Sequence, residues 1–102
     1  MTAFSMKKHT DAAGRSVIAV SDSDLLNREL KDTEKDIEFF VSPSFYGEET
    51  FSEEEVFAEI TEADNVNLIG NGIVDAAVNK HIVNEGSVTT IAGIKHAQVY
   101  KI

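Results

Sequence analysis

The chain reads as an α+β fold: a two-layer sandwich with a mainly antiparallel sheet and helices on one face. Three observations lead there. Runs rich in β-branched residues lie at both ends, in Ser16 to Val20 and in Val88 to Ile102. Helical patterns with recognisable caps lie between them. The length of 102 residues, with 42% hydrophobic and 26% charged residues, is that of one ordinary globular domain spanning 1–102.

The segment from Thr2 to Lys7 is the first expected strand, with Met6 and either Ala3 or Phe4 available to a core. A turn at Asp11 to Gly14 returns the chain into Ser16 to Val20, giving an N-terminal hairpin. Ser21 followed by Asp24 resembles an N-cap with an acidic first turn, so a short helix through Leu25, Leu26 and Leu30 is expected. After a charged loop from Lys31 to Lys35, Ile37 to Val41 is a strand, stopped at Ser42-Pro43 because proline cannot donate to a sheet ladder. Ser44 to Thr50 is read as a connector.

Ser52 and Glu55 form a capping box, and Val56, Phe57 and Ile60 then give a helix its apolar stripe. Glu53, Glu54 and Glu55 suit the positive end of that helix. Alternation predicts an extended piece from Asn65 to Ile69, a Gly70-Asn71-Gly72 turn, and a helix from about Ile73 to His81. A C-terminal hairpin closes the chain, and both terminal hairpins are expected in the main sheet.

Charge is distributed unevenly. The net charge is −9, but residues 1–64 hold 16 Asp or Glu against 6 Lys or Arg, whereas residues 65–102 hold 2 against 3. A net-acidic chain disfavours high-affinity, sequence-independent nucleic-acid binding, yet its C-terminal third is free to meet RNA or a partner locally. Cysteine is absent, which excludes disulfide scaffolds and thiolate metal sites and fits a reducing compartment. No apolar run has the length of a membrane span. A cytoplasmic, soluble protein is expected, with no membrane partner.

The candidate binding residues concentrate in the second half. Lys95, His96 and Gln98 form the one close basic and polar cluster, with His96 in or beside a hairpin turn. Asn67 and Gly70 lie at the expected strand end. In Phe45-Tyr46-Gly47 one of the two aromatics is expected to fill the core edge; Tyr46, where exposed, offers a flat ring for stacking or an interface, with structural packing the favoured reading. His81 is expected on the apolar side of its helix near the C-terminus, and His9 in an exposed turn. None of the three histidines has the partner spacing of a metal motif, and no nucleophile is spaced to pair with His96. No catalytic residue, metal or cofactor is therefore assigned.

Phe45-Tyr46-Gly47, Asn67-Leu68-Ile69-Gly70 with Val74 and Ala77, and Ile91-Ala92-Gly93-Ile94-Lys95-His96-Ala97-Gln98 occur together in order. In this the chain resembles an archaeal family catalogued as domain of unknown function 424. Val17 to Val20 with Asp22 to Leu26 is similar to that family's N-terminal part, and the Gly-x-x-His-Ala-Gln ending is the most specific element. Lys95 stands where the resemblance leads one to expect proline in many relatives, and Asn71 where it leads one to expect an acidic residue. The resemblance implies an archaeal source, an α+β two-layer fold and a setting near translation. It implies no defined activity.

Two functions are weighed. The first is a non-enzymatic binding module linked to translation or RNA metabolism, with the C-terminal hairpin as recognition surface and RNA or a basic translation factor as partner. The alternative is a small enzyme or anion-binding domain using His96 and the Gly70–Gly72 turn, which requires a pocket joining the two. A homodimer through an exposed hairpin edge is a further arrangement.

Overall fold

The computed structural model describes residues 3–100. Its strands are β1 (Phe4–Thr10), β2 (Ser16–Asp22), β3 (Glu29–Asp32), β4 (Ile37–Phe40), β5 (Thr50–Phe51), β6 (Asn65–Ile69), β7 (Thr89–Ile91) and β8 (Ile94–Tyr100). The helices are α1 (Pro43–Tyr46), α2 (Glu53–Glu62) and α3 (Asn71–Asn79). Six strands form one sheet in the order β5-β1-β2-β6-β8-β7, and β3 and β4 pair as a separate two-stranded sheet. Every neighbouring pair is antiparallel except β2 with β6. The α+β class with a mainly antiparallel sheet is the observed one, and both terminal hairpins join the main sheet. Thr2, Lys101 and Ile102, which belong to the expected terminal strands, lie outside the described residues.

Strand alternation divides the main sheet into two faces. One carries Phe4, Ile18, Val20, Val66, Leu68 and Ala97, packed with Val56, Phe57 and Ile60 of α2 and Ile73, Val74 and Ala77 of α3. The other carries Ala19, Ile69 and Ile91, covered by Leu25, Leu30, Val41 and Tyr46. The β3–β4 sheet and α1 thus form a small layer on the face opposite α2 and α3. The central strand β2 buries side chains on both faces, which explains its continuous apolar run from Val17 to Val20, while β6 alternates before Leu68 and Ile69 bury on opposite faces.

The expected capping box is present. Glu55 N–H donates to Ser52 Oγ at 3.2 Å, and Ser52 N–H donates to Glu55 Oε1 at 3.0 Å. The helix expected after Ser21 is not. One 3₁₀ turn at Ser23–Leu25 ends at Leu26, whose ψ of 138° breaks helical continuation before Asn27 takes a positive φ of 68°, and Leu30 belongs to β3. The connector after Pro43 contains a helical turn, because proline suits the first helical position and the Ser42 side chain accepts from Ser44 N–H. The third helix starts at Asn71, two residues before the expected Ile73, and its end differs as well. It closes in a Schellman motif in which Ile82 N–H reaches Ala77 O and His81 N–H reaches Val78 O. His81 is the left-handed residue of that cap at φ 61° and is exposed, so the place expected for it on the apolar side of the helix is corrected. His9 lies within β1 rather than in a turn.

Candidate functional site

Each candidate residue can be placed by its strand and parity. Lys95 and His96 are adjacent on β8, so their side chains leave opposite faces of the sheet. Lys95 lies on the helix side, where Nζ forms an ion pair with Asp75 of α3. Its main chain is tied as well: Lys95 N–H donates to Asn71 Oδ1 at 2.9 Å, and Lys95 O accepts from Gly70 N–H at 2.8 Å. Lys95 and Gly70 are parts of one brace between β8 and the start of α3.

His96 lies on the other face, opposite Ile69 of β6 and Thr89 of β7. It is two residues into the strand. The hairpin turn is Ala92-Gly93, with φ of 52° and 81°, the two left-handed positions of a type I′ turn. The expected place of His96 in or beside the turn is corrected accordingly. The Phe39 ring meets His96 edge-on, with centroids 5.9 Å apart. Burial there pushes the His96 imidazole below its ordinary pKa.

Asn67 and Tyr46 do come together on this face. The Tyr46 hydroxyl donates to Asn67 Oδ1 at 2.7 Å, and Tyr46 is only 1% exposed. Burial drives the phenol well above its ordinary pKa. Tyr46 is therefore the ring that fills the core edge, in line with the packing reading, and as a binding candidate it presents no exposed face for stacking. The exposed ring is Phe45, 36% accessible, stacked on His9 with centroids 4.9 Å apart and planes inclined by 18°. Pro43 is the signal that points to this outcome, since the helical turn it opens sets which of the two adjacent rings turns inward.

A row of side chains then runs across four strands of this face: His9, Val17, Asn65 and Tyr100, in register. Tyr100 is 66% exposed, and its hydroxyl accepts from Gln98 Nε2 at 2.8 Å. Three inter-strand spacings of roughly 4.8 Å place the His9 and Tyr100 main chains about 14 Å apart. None of the described strand positions on this face of the main sheet is a carboxylate. Phe45, His9, Gln98 and Tyr100 thus edge an open aromatic and amide strip at the end of the sheet that the β3–β4 layer leaves uncovered. Of the expected residues, Gln98 belongs to this strip; His9, Phe45 and Tyr100 were not among them.

The Gly70–Gly72 turn meets an anion of the protein's own. Asp22 Oδ2 accepts from Gly72 N–H and Oδ1 accepts from Ile73 N–H, both at 2.9 Å, so a β2 carboxylate caps α3 from a distance in sequence. A Cβ on Gly70 would lie 2.4 Å from Asp22 Cγ, and one on Gly72 would lie 3.0 Å from Asp22 Oδ1. The glycines make room for this carboxylate. Burial raises the Asp22 pKa, the two amide bonds pull it back down, and Asp24 and Asp75 raise it slightly. His96 projects from the opposite face, so the two parts of the enzyme or anion-site arrangement do not share a pocket. An open groove of about 540 Å³ on the helix side is lined by residues including Val74, Asp75, Val88 and Lys95, without His96. Among the described residues, no three His, Asp or Glu side chains cluster to hold a metal.

Fold and site together define a small α+β protein with a helix-backed sheet whose other face is half covered and half open. Residues 9–102 match the family described as "Protein of unknown function (DUF424)", and the chain belongs to that family. The fold is similar to that of an uncharacterized conserved protein from Methanopyrus kandleri, with a TM-score of 0.81 and 21% identity over 98% of this chain and 92% of the other. Among curated proteins, none matches. No described helix is long and apolar enough to cross a membrane.

Proposed function

We propose that this protein is a non-enzymatic binding module of RNA metabolism or translation, with the open half of the β8 face as its recognition surface. The observation that supports this most is the carboxylate-free strip that edges Phe45 on His9 at one side and Tyr100 with Gln98 at the other. Flat exposed rings and amide groups on a rigid sheet suit unstacked bases, which need a π surface and hydrogen-bond partners rather than a strongly positive field. The C-terminal hairpin contributes through β8, although its residues facing the strip are Gln98 and Tyr100, not Lys95. A cytoplasmic location belongs to the same reading, since a chain without cysteine suits a reducing compartment.

The test is a titration of fluorescein-labelled single-stranded RNA across a salt series. Micromolar, salt-sensitive binding that weakens at least about fivefold in both Tyr100→Ala and Phe45→Ala supports the reading, within the stacking range of about 1–3 kcal/mol per base. No binding at micromolar protein, or binding indifferent to both substitutions, counts against it.

A further inference from the structure

The β3–β4 sheet has only two strands, so β4 presents an outer edge. Among the described residues β4 pairs with β3 alone. Val41, just after β4, donates its N–H to Arg28 O and accepts from Asn27 N–H, both at 2.9 Å, so it faces the β3 side. Main-chain groups alternate along an antiparallel strand, which turns the N–H and C=O of Glu38 and Phe40 toward that outer edge. The same strand exposes two large apolar side chains, Phe40 at 51% on one face and Ile37 at 38% on the other. Open edges are normally blunted or covered, so an apolar one points to a partner.

The charges specify that partner further. From Glu29 to Phe40 the hairpin holds five carboxylates and two lysines. Lys31 is engaged by Glu29, and the Lys35 ammonium donates to Thr90 of β7. Asp32 accepts from Ala92 N–H at 3.0 Å and from Lys35 N–H at 3.1 Å. Glu34, Asp36 and Glu38 are exposed and have no ion pair among the described residues.

We propose that the β4 edge docks an extended basic segment of another protein, which adds a third strand to the β3–β4 sheet. Its main chain pairs with Glu38 and Phe40; on one face its apolar side chains cover Ile37, and on the other its lysines or arginines lay their stems over Phe40 and reach Glu38, with Glu34 and Asp36 nearby at the turn. The free carboxylates oppose a nucleic acid at this edge. They also oppose a second copy of the chain, which would bring like charges together. This site shares no residue with the aromatic strip, so the two readings stand or fall separately.

The test uses the full chain, ¹⁵N-labelled, titrated with a capped peptide of about nine residues that alternates lysine and valine, the length of a long strand. Expected are shifts and slowed exchange centred on the Glu38 and Phe40 amides, and binding weakened about tenfold or more in Glu38→Lys. A lysine–proline peptide of equal length and charge, which cannot form a ladder, is expected not to bind. Spectra of Glu38→Lys that match the wild type away from β4 establish that the variant folds. Three outcomes overturn the proposal: equal binding of the two peptides, equal affinity of Glu38→Lys, or shifts that map elsewhere. Self-association through the same amides in the absence of peptide overturns it too.

Discussion

The Asp22 carboxylate receives the Gly72 N–H at 2.9 Å, across fifty residues of chain. A second bond from Ile73 N–H makes Asp22 the cap of α3, whose own N-cap residue, Gly70, has no side chain to offer. Asp22→Ala is expected to lower stability by about 1–2 kcal/mol, the range for a lost helix cap, in urea denaturation. Gly70→Ala should cost more, because φ is 126° and the new Cβ meets Asp22 at 2.4 Å. The pair should be non-additive, since Asp22→Ala removes the two nearest atoms, Cγ and Oδ2, that the methyl introduced by Gly70→Ala would strike, leaving only Cβ at 2.8 Å.

The pH dependence of that cap has a definite sign. Burial raises the folded-state pKa of Asp22 above 3.8, so between the two values the folded state holds more proton than the unfolded one. Stability from this group is greatest at low pH and falls as pH rises through the raised value. The advantage of wild type over Asp22→Asn is therefore expected to narrow with rising pH and then level off. Paired urea titrations at several pH values measure this, and a widening advantage contradicts it.

His96 moves in the other direction. Burial holds its folded-state pKa below 6.5, so protonation is harder in the folded chain than in the unfolded one. Its contribution is intact above 6.5 and is lost as pH falls through the folded value. An NMR titration of the imidazole is expected to give a midpoint below 6.5, and His96→Gln to flatten the acid side of the stability profile.

Tyr46→Phe keeps the ring and removes the donor to Asn67 Oδ1. The expected loss is about 1–1.5 kcal/mol, because a half-buried amide oxygen is left without its hydroxyl. A double-mutant cycle with Asn67→Ala isolates the pair, and zero coupling energy would show that the bond contributes nothing.

Ala92 occupies the first left-handed position of the β7–β8 turn, where asparagine is preferred in type I′ turns. Ala92→Asn is expected to stabilise by about 0.5–1 kcal/mol, read as a rise in the thermal midpoint. The Ala92 N–H bond to Asp32 involves only main chain on that side, so the substitution leaves it in place.

Features written in a few consecutive residues were legible in the sequence. The Ser52–Glu55 capping box is local, and so are the alternation of Asn65–Ile69 and the two terminal hairpins. Segments whose state depends on distant partners were not. Leu30 fits a helix by spacing, yet it sits in β3 opposite Phe39, and no local signal announces that pairing. Asp22 sits where its own segment resembles a helix start, while its carboxylate serves a helix beginning at residue 71. The division of Lys95 from His96 follows from the two-residue period of a strand once His96 is placed on β8 rather than in the turn. Which of Phe45 and Tyr46 turns inward depends on the helical turn at Pro43, a short signal that does not show in a connector's composition.

The parallel contact between β2 and β6 also bears on how the chain acquires its shape. These strands are neighbours, yet all of residues 23–64 lie between them, including the β3–β4 layer, α1 and α2. The two terminal hairpins can close quickly and locally, but joining them requires that long excursion to be drawn in first. The seam between β2 and β6 is therefore expected to close late, so that substitutions there slow refolding more than substitutions in either hairpin, which stopped-flow refolding measures.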